Sequence, residues 1–194
     1  MKLKVIITGS TGMVGKGVLL ECIDSPEVEH ILVINRSPVG ITHPKLKEVI
    51  HKDFFNWSDV REHLEGYNAC FFCMGVSSVG MNEADYRRMT YDLTLGFAKE
   101  VLAKNNDMTF CYVSGAGTDS TEQGRMMWAR VKGKTENDLL GLGFKDAYMF
   151  RPGFIQPMRG IKSKTALYQG IYNIISPLYG LLRRLPKYVT TTVV

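Results

Sequence analysis

Apolar residues in this chain fall in short, nearly unbroken runs, separated by longer stretches whose apolar positions recur at helical spacing. Residues 3–8 (LKVIIT) are the first run; over 13–24, Val14, Val18 and Leu19 share one helical face. HILVIN at 30–35 is a second run, too short for a helix and bounded by NRSPVG. A weaker strand is predicted near 46–50 and a short helix over 57–65. ACFFCM at 69–74 supplies the next strand, and 83–104 reads as a long helix stopped by KNND. MTFCYVS at 108–114 is a further strand, followed by the loop GAGTDSTEQG, a helix near 124–140 and a strand at 147–151.

Strands that are apolar throughout are buried on both faces, which requires a parallel sheet with helices on either side. The pattern predicts an α/β class, a doubly wound, Rossmann-like parallel sheet in a single domain over 1–194. The binding crevice is then expected at the carboxyl ends of the strands. Residues 155–194 are predicted to form a C-terminal segment on the substrate side.

Between the first strand and first helix, VIITGSTGMVGKGV (5–18) places four glycines within nine residues. A tight surface turn is the plain reading, and a pyrophosphate loop is the functional one. Gly9, Gly12 and Gly15 are spaced G-x-x-G-x-x-G. The first permits a sharp turn, the second removes a Cβ from the path of a phosphate, and the third lets helix and strand pack closely. The helix N-terminus adds free N–H groups and partial positive charge. Gly9, Ser10, Thr11, Gly12, Met13, Val14 and Gly15 are therefore candidate cofactor-binding residues.

TGSTGMVG resembles the T-G-[AS]-T-G-x-x-G of extended and atypical short-chain dehydrogenases. KDFFNW (52–57) is similar to the segment flanking adenine in that superfamily, which implies Asp53 and Phe54. CMGVSS (73–78) resembles the loop passing the nicotinamide ribose, implying Met74 and Gly75. YVSGAG (112–117), WARVKGKTE (128–136) and FRPGFI (150–155) follow in the family's order, adding Pro152 and Gly153. The V-K-G-x-x-E and R-P-G segments resemble the branch of the Tat-interacting tumour-suppressor oxidoreductase. The resemblance spans about residues 3–160.

The end of the second strand bears on which dinucleotide is preferred. NAD enzymes usually place an acid there for the ribose hydroxyls, but this chain has Asn35, Arg36 and Ser37. A guanidinium pairs with a 2′-phosphate that a carboxylate would repel. NADP(H) is favoured over NAD(H), with Arg36 as a merely solvated loop residue the other reading.

The resemblance also implies a catalytic Tyr, a Lys one helical turn later, and a Ser after the fifth strand. The Lys lowers the phenol pKa and the hydroxyl polarises the substrate carbonyl. Lys132 fits the lysine position, but Trp128 stands four residues before it. An indole N–H donates a hydrogen bond without exchanging a proton near neutral pH. The expected acid is missing, and Trp128→Tyr would recreate the pair. Ser114 ends the fifth strand, although the superfamily's Ser often lies further on, where Gly115 and Ala116 stand. Ser114, Lys132 and Trp128 are the catalytic candidates. Tyr86, Tyr91 and Tyr112 have no lysine at helical spacing behind them.

At 194 residues, 45% hydrophobic and 22% charged, the chain has the composition of a globular protein rather than a disordered one. Its net charge of +5 favours anionic ligands, but the basic residues are scattered, which argues against a nucleic-acid partner. Cys70 and Cys73 form a C-x-x-C inside a strand with no second pair, so no metal site is expected. Cys22, Cys70, Cys73 and Cys111 read as buried, reduced and structural. MKLKVIITG lacks a secretory signal's apolar run, and a cytoplasmic location is expected. The apolar stretch 166–186, basic at both flanks and broken by Pro177, has three open roles. It is a core helix over the substrate crevice, a homodimer face, or a helix lying at a membrane surface. The first is favoured. In this superfamily a further helix usually follows, which leaves continuation beyond Val194 open.

Two function classes remain. One is an NADP-dependent oxidoreductase of a small carbonyl or alcohol substrate. The other is a dinucleotide-binding regulatory protein without turnover, which Trp128 favours.

Overall fold

Six apolar runs are strands of one parallel sheet: β1 (Leu3–Thr8), β2 (Val28–Asn35), β3 (Leu46–Ile50), β4 (Ala69–Phe72), β5 (Thr109–Val113) and β6 (Asp146–Phe150). The computed structural model describes residues 2–161 and 189–191. The stretch 166–186 and most of 155–194 lie outside the described residues. The order β3-β2-β1-β4-β5-β6 is that of a doubly wound Rossmann-like sheet. From β1 the chain winds outward through β2 and β3, then crosses back to β4 on the other side. That reversal opens a crevice between the carboxyl ends of β1 and β4.

Alternate residues of each strand feed opposite faces, which explains runs apolar at every position. Ile6, Leu32, Ile34, Phe72 and Phe110 enter one core, while Val5, Ile7, Ile31 and Val33 enter the other. The second core is closed by α1 (Met13–Asp24) through Leu19 and Cys22. The first is closed by a 3-10 helix (Ser58–Leu64) and by a continuous helical stretch over 83–104. That stretch comprises α2 (Glu83–Arg87), a π turn (Arg88–Asp92) and α3 (Leu93–Lys104).

α4 (Met127–Leu140) starts three residues later than predicted. The Gly124 N–H instead donates to Asp119 Oδ2 at 2.7 Å, closing a loop that ends before the helix. β2 starts two residues earlier than predicted, because Leu3 pairs with Val28 across the sheet. Beyond the main sheet, β7 (Phe154–Gln156) pairs in parallel with β8 (Val189–Thr191), a pairing the local pattern does not signal.

Candidate functional site

A cleft of about 670 Å³ lies at the carboxyl ends of the strands, running across the β1/β4 reversal. The glycine loop forms its floor. Gly9 is left-handed (φ +71°), and a Cβ there would stand 2.8 Å from the Cys73 backbone carbonyl. The turn after β1 thus requires glycine for its torsion and for its approach to the loop after β4. Gly12 caps α1 without a side-chain hydrogen bond, and the first turn holds no acid. A Cβ on Gly12 would meet only Gly9 O, at 3.2 Å. A Cβ on Gly15 would stand 2.3 Å from Gly9 O, so this glycine seats the helix on the turn itself rather than on a strand.

Thr11, Met13 and Val14 line the cleft beside Gly9 and Gly12, whereas Ser10 and Gly15 do not. Ser10 is buried, and its Oγ donates to Asn35 Oδ1 at 2.9 Å. Asn35 Nδ2 in turn donates to Glu48 Oε1 at 2.8 Å, which also accepts the Val39 N–H. Ser10 and Gly15 are thus supports of the loop, not walls of the cleft. These bonds fix the Asn35 amide, which also lines the cleft at the close of β2. Arg36 follows it, exposed, lining the cleft and without an ion-pair partner among the described residues.

Lys52, Asp53, Phe54 and Phe55 extend the same end. Lys52 escaped sequence reasoning because a single exposed lysine carries no pattern. Asp53 Oδ1 accepts the Phe55 N–H at 3.0 Å, which shapes this corner. Phe54 is largely core, its ring meeting Trp57 edge-on at 5.1 Å and leaving only 6% of its surface exposed.

Met74 and Gly75 carry the cleft past β4, and Pro152 and Gly153 close it beyond β6. Met89 and Leu93, from the π turn and its junction with α3, add apolar walls that the sequence did not single out. A π turn shifts the helical phase, so simple periodicity conceals which residues it turns toward the cleft.

Lys132 and Ser114 meet in this cleft. Lys132 Nζ donates to the Ser114 carbonyl at 3.0 Å and lies 5.5 Å from the Tyr112 ring centroid. Burial pushes its ammonium down to about 8, against an opposing pull from Glu136. Ser114 Oγ lies 2.9 Å from Thr118 Oγ1. Thr118 gives its one proton to Gly115 O at 2.8 Å, so Ser114 is the donor in that contact. Trp128 does not line the cleft; its ring covers Gly117, with Cη2 3.3 Å from where a Cβ would stand. Indole bulk is accommodated there because Gly117 is left-handed (φ +85°) and has no side chain. No tyrosine lines the cleft among the described residues.

The V-K-G-x-x-E and R-P-G segments form one structural unit. A Cβ on Gly133 would stand 1.8 Å from Asp119 O, so α4 lies directly on the loop after β5. Glu136, 2% exposed, is held by Arg151 through Nε contacts of 3.0 Å to both carboxylate oxygens. This ion pair ties α4 to the end of β6.

All four cysteines are free thiols. Burial pushes Cys22 and Cys111 up to about 11 and Cys73 to about 12, which makes them poor nucleophiles. Cys73 departs from the expected burial: β4 ends at Phe72, and Cys73 turns along the cleft wall. Among the described residues no group of His, Cys, Asp and Glu is placed to hold a metal, and no helix is long and apolar enough to cross a membrane. A second hollow, beside Glu83, Arg87 and Arg130, measures only about 120 Å³, too small for a dinucleotide.

No family model matches the chain. It is 29% identical over 176 residues to the mitochondrial protein FMP52 of Debaryomyces hansenii, covering 90% of this chain and 74% of that protein. Further yeast relatives carry the same mitochondrial name, which overturns the cytoplasmic expectation. Among solved structures, the Helicobacter pylori ADP-L-glycero-D-manno-heptose-6-epimerase superposes with a TM-score of 0.65 at 18% identity, over 81% of this chain and 57% of that one. The Bordetella bronchiseptica enzyme WbmG in complex with NAD gives 0.67 at 11% identity, over 91% of this chain and 60% of that one. A short chain dehydrogenase family protein from Francisella tularensis gives 0.62 at 13%, over 99% of this chain and 87% of that one. This chain thus spans less than two thirds of the first two structures. At these identities the likeness establishes the architecture: the chain has the Rossmann-like fold of these proteins.

Proposed function

We propose that the protein is an NADP-dependent oxidoreductase of the atypical short-chain dehydrogenase type, acting on a small carbonyl or alcohol substrate. One observation carries this reading. A single cleft joins an uncapped, acid-free helix N-terminus and glycine loop to Arg36 at one end and to Lys132 and Ser114 at the other. The glycine cradle fits a dinucleotide, since a side chain at Gly12 would project where phosphate has to approach. The NAD bound by WbmG and the name of the Francisella protein support a nicotinamide dinucleotide here, and the preference for NADP rests on Arg36 alone. The V-K-G-x-x-E and R-P-G unit resembles the branch of the Tat-interacting oxidoreductase, which we propose for it. A mitochondrial location follows from the relatives' names.

When bound, the nicotinamide supplies hydride. The residues of this chain do the rest. Backbone N–H groups at Met13 and Val14, at the start of α1, would hold pyrophosphate, and Arg36 with Lys52 would neutralise a 2′-phosphate. Lys132 offers its ammonium to the ribose, while Met89, Leu93 and Val113 exclude water from the reacting end.

A second reading is a dinucleotide-binding protein without turnover. It is favoured by Trp128 covering Gly117 and by the Ser114 hydroxyl donating to Thr118. Titration calorimetry with NADPH and NADH, followed by a carbonyl and alcohol panel, separates the two. NADPH binding with reduction supports the oxidoreductase, NADPH binding without turnover supports the second reading, and failure to bind either cofactor rejects both.

A further inference from the structure

We propose that Lys132 is itself the proton donor of carbonyl reduction, in the place of the phenol that the helix lacks. The inference rests on the oxidoreductase reading above. The three groups that the helix and the fifth strand bring nearest, Ser114, Trp128 and Tyr112, are removed by geometry, and the aliphatic hydroxyls of Thr11 and Ser77 elsewhere on the cleft are too weakly acidic to serve near neutral pH. Ser114 Oγ gives its proton to Thr118, which has already given its own to Gly115 O. Trp128 packs over Gly117, and its indole does not release a proton near neutral pH. Tyr112 turns its ring to Lys132, is 1% exposed, and has its phenol pushed up by burial.

Lys132 remains. Its ammonium carries three protons, of which one goes to Ser114 O at 3.0 Å. The side chain lines the cleft, where its two remaining protons are divided between the cofactor ribose and a substrate oxygen. The ionisable groups around it do not pin the charge. Glu136, one turn along α4, is committed to Arg151 from β6. Tyr112 on β5 lies behind the amine, and Cys73 at the end of β4, raised to about 12, stays neutral. An ammonium titrating at about 8 suits a general acid near neutral pH.

In the step, the carbonyl carbon accepts the hydride that NADPH supplies, forming a C–H bond. The C=O π electrons move onto oxygen, which takes a proton from Nζ as that N–H bond breaks. Alcohol, NADP⁺ and a neutral amine result, and the amine regains a proton from water.

The test compares wild type with Lys132→Arg and Lys132→Ala, each checked for NADPH binding by calorimetry. At saturating NADPH, kcat is expected to fall about 10²–10⁴-fold in both variants. Arginine keeps the charge but does not release a proton. Added primary ammonium ions should restore Lys132→Ala, with a rate first-order in the protonated form and greater for the more acidic ions. In the cofactor-free wild type, ¹⁵Nζ-detected NMR should show Lys132 deprotonating near pH 8. The wild-type kcat should fall with rising pH at the corresponding midpoint. Wild-type rates in Lys132→Arg overturn the proposal, and an Nζ still protonated above pH 10 in the wild type overturns it even if the variants misfold or bind poorly. A wild type that binds NADPH but reduces no carbonyl overturns it together with the oxidoreductase reading. Turnover by wild type alongside an active Lys132→Arg overturns this inference alone.

Discussion

Lys132 Nζ donates to the Ser114 carbonyl at 3.0 Å, so α4 is tied to the end of β5 where both meet the cleft. The contact holds an ammonium in a place that burial makes unfavourable for charge. Its folded pKa of about 8 lies below the ordinary 10.5, so between those values the unfolded chain binds the extra proton. Stability contributed by this site therefore rises with pH from about 8 to 10.5, and the penalty is fully present below pH 8. Lys132→Met should be more stable than wild type at pH 7, by on the order of 1–3 kcal/mol after loss of the hydrogen bond. Urea unfolding at pH 7 and pH 9.5 should show that advantage shrinking at the higher pH; a constant gap would show that the ammonium is not penalised.

Arg36 is exposed on the cleft, while Asn35 beside it is held in place by Ser10 and Glu48. Arg36→Ala should weaken NADPH by about 1.5–3 kcal/mol, the range for a charge-assisted hydrogen bond. NADH, which lacks the phosphate, should be nearly unaffected. Equal losses for both cofactors in calorimetry would place Arg36 outside the phosphate site.

Gly12 and Gly15, three residues apart in the same loop, should respond differently to substitution. Gly15→Ala drives a methyl to 2.3 Å from Gly9 O, where backbone cannot step aside. Thermal unfolding should register a loss of at least about 1–3 kcal/mol, the usual range of overpacking costs. Gly12 has φ −87°, which any residue adopts. Gly12→Val should keep the fold by circular dichroism yet lose both cofactors, because its side chain occupies the phosphate's approach.

Glu136 is buried while Arg151 is partly exposed, so the two halves of their ion pair are unequal. Arg151→Ala strands a buried carboxylate and should cost about 2–4 kcal/mol, near the cost of breaking a buried pair. Glu136→Gln removes the charge that needs compensation and should cost less. Denaturant midpoints for both variants give the ordering; the reverse order would mean that Arg151 contributes mainly by packing.

Trp128→Tyr recreates the Tyr-x-x-x-Lys spacing in sequence, but the ring it replaces covers Gly117 outside the cleft lining. With Lys132 as donor, the substitution should leave kcat within about tenfold of wild type, less than general acid catalysis supplies. A gain of 10²-fold or more in NADPH-dependent carbonyl reduction would show that a phenol at this position completes the site and that its absence limits the chemistry.

The alternation of apolar runs with helical spacing determined the doubly wound sheet by itself, because strands such as VIITG and HILVIN must be covered on both faces. The glycine triplet was equally legible: left-handed torsion and close backbone approach exclude side chains wherever they occur. Local sequence also singled out Arg36, because the absence of an acid after β2 is a property of a few adjacent residues, and the structure sets it on the cleft. Partnerships across the fold were not legible in that way. Ser10 turned out to serve Asn35 rather than the cleft, Lys52 joined Arg36, and Cys73 left its strand to line the wall. The proton inventory that isolates Lys132 depends on Thr118 giving its hydrogen to Gly115 and on Glu136 being claimed by Arg151. Hydrogen-bond direction and desolvation are set by neighbours distant in sequence, and only tertiary structure decides which those are.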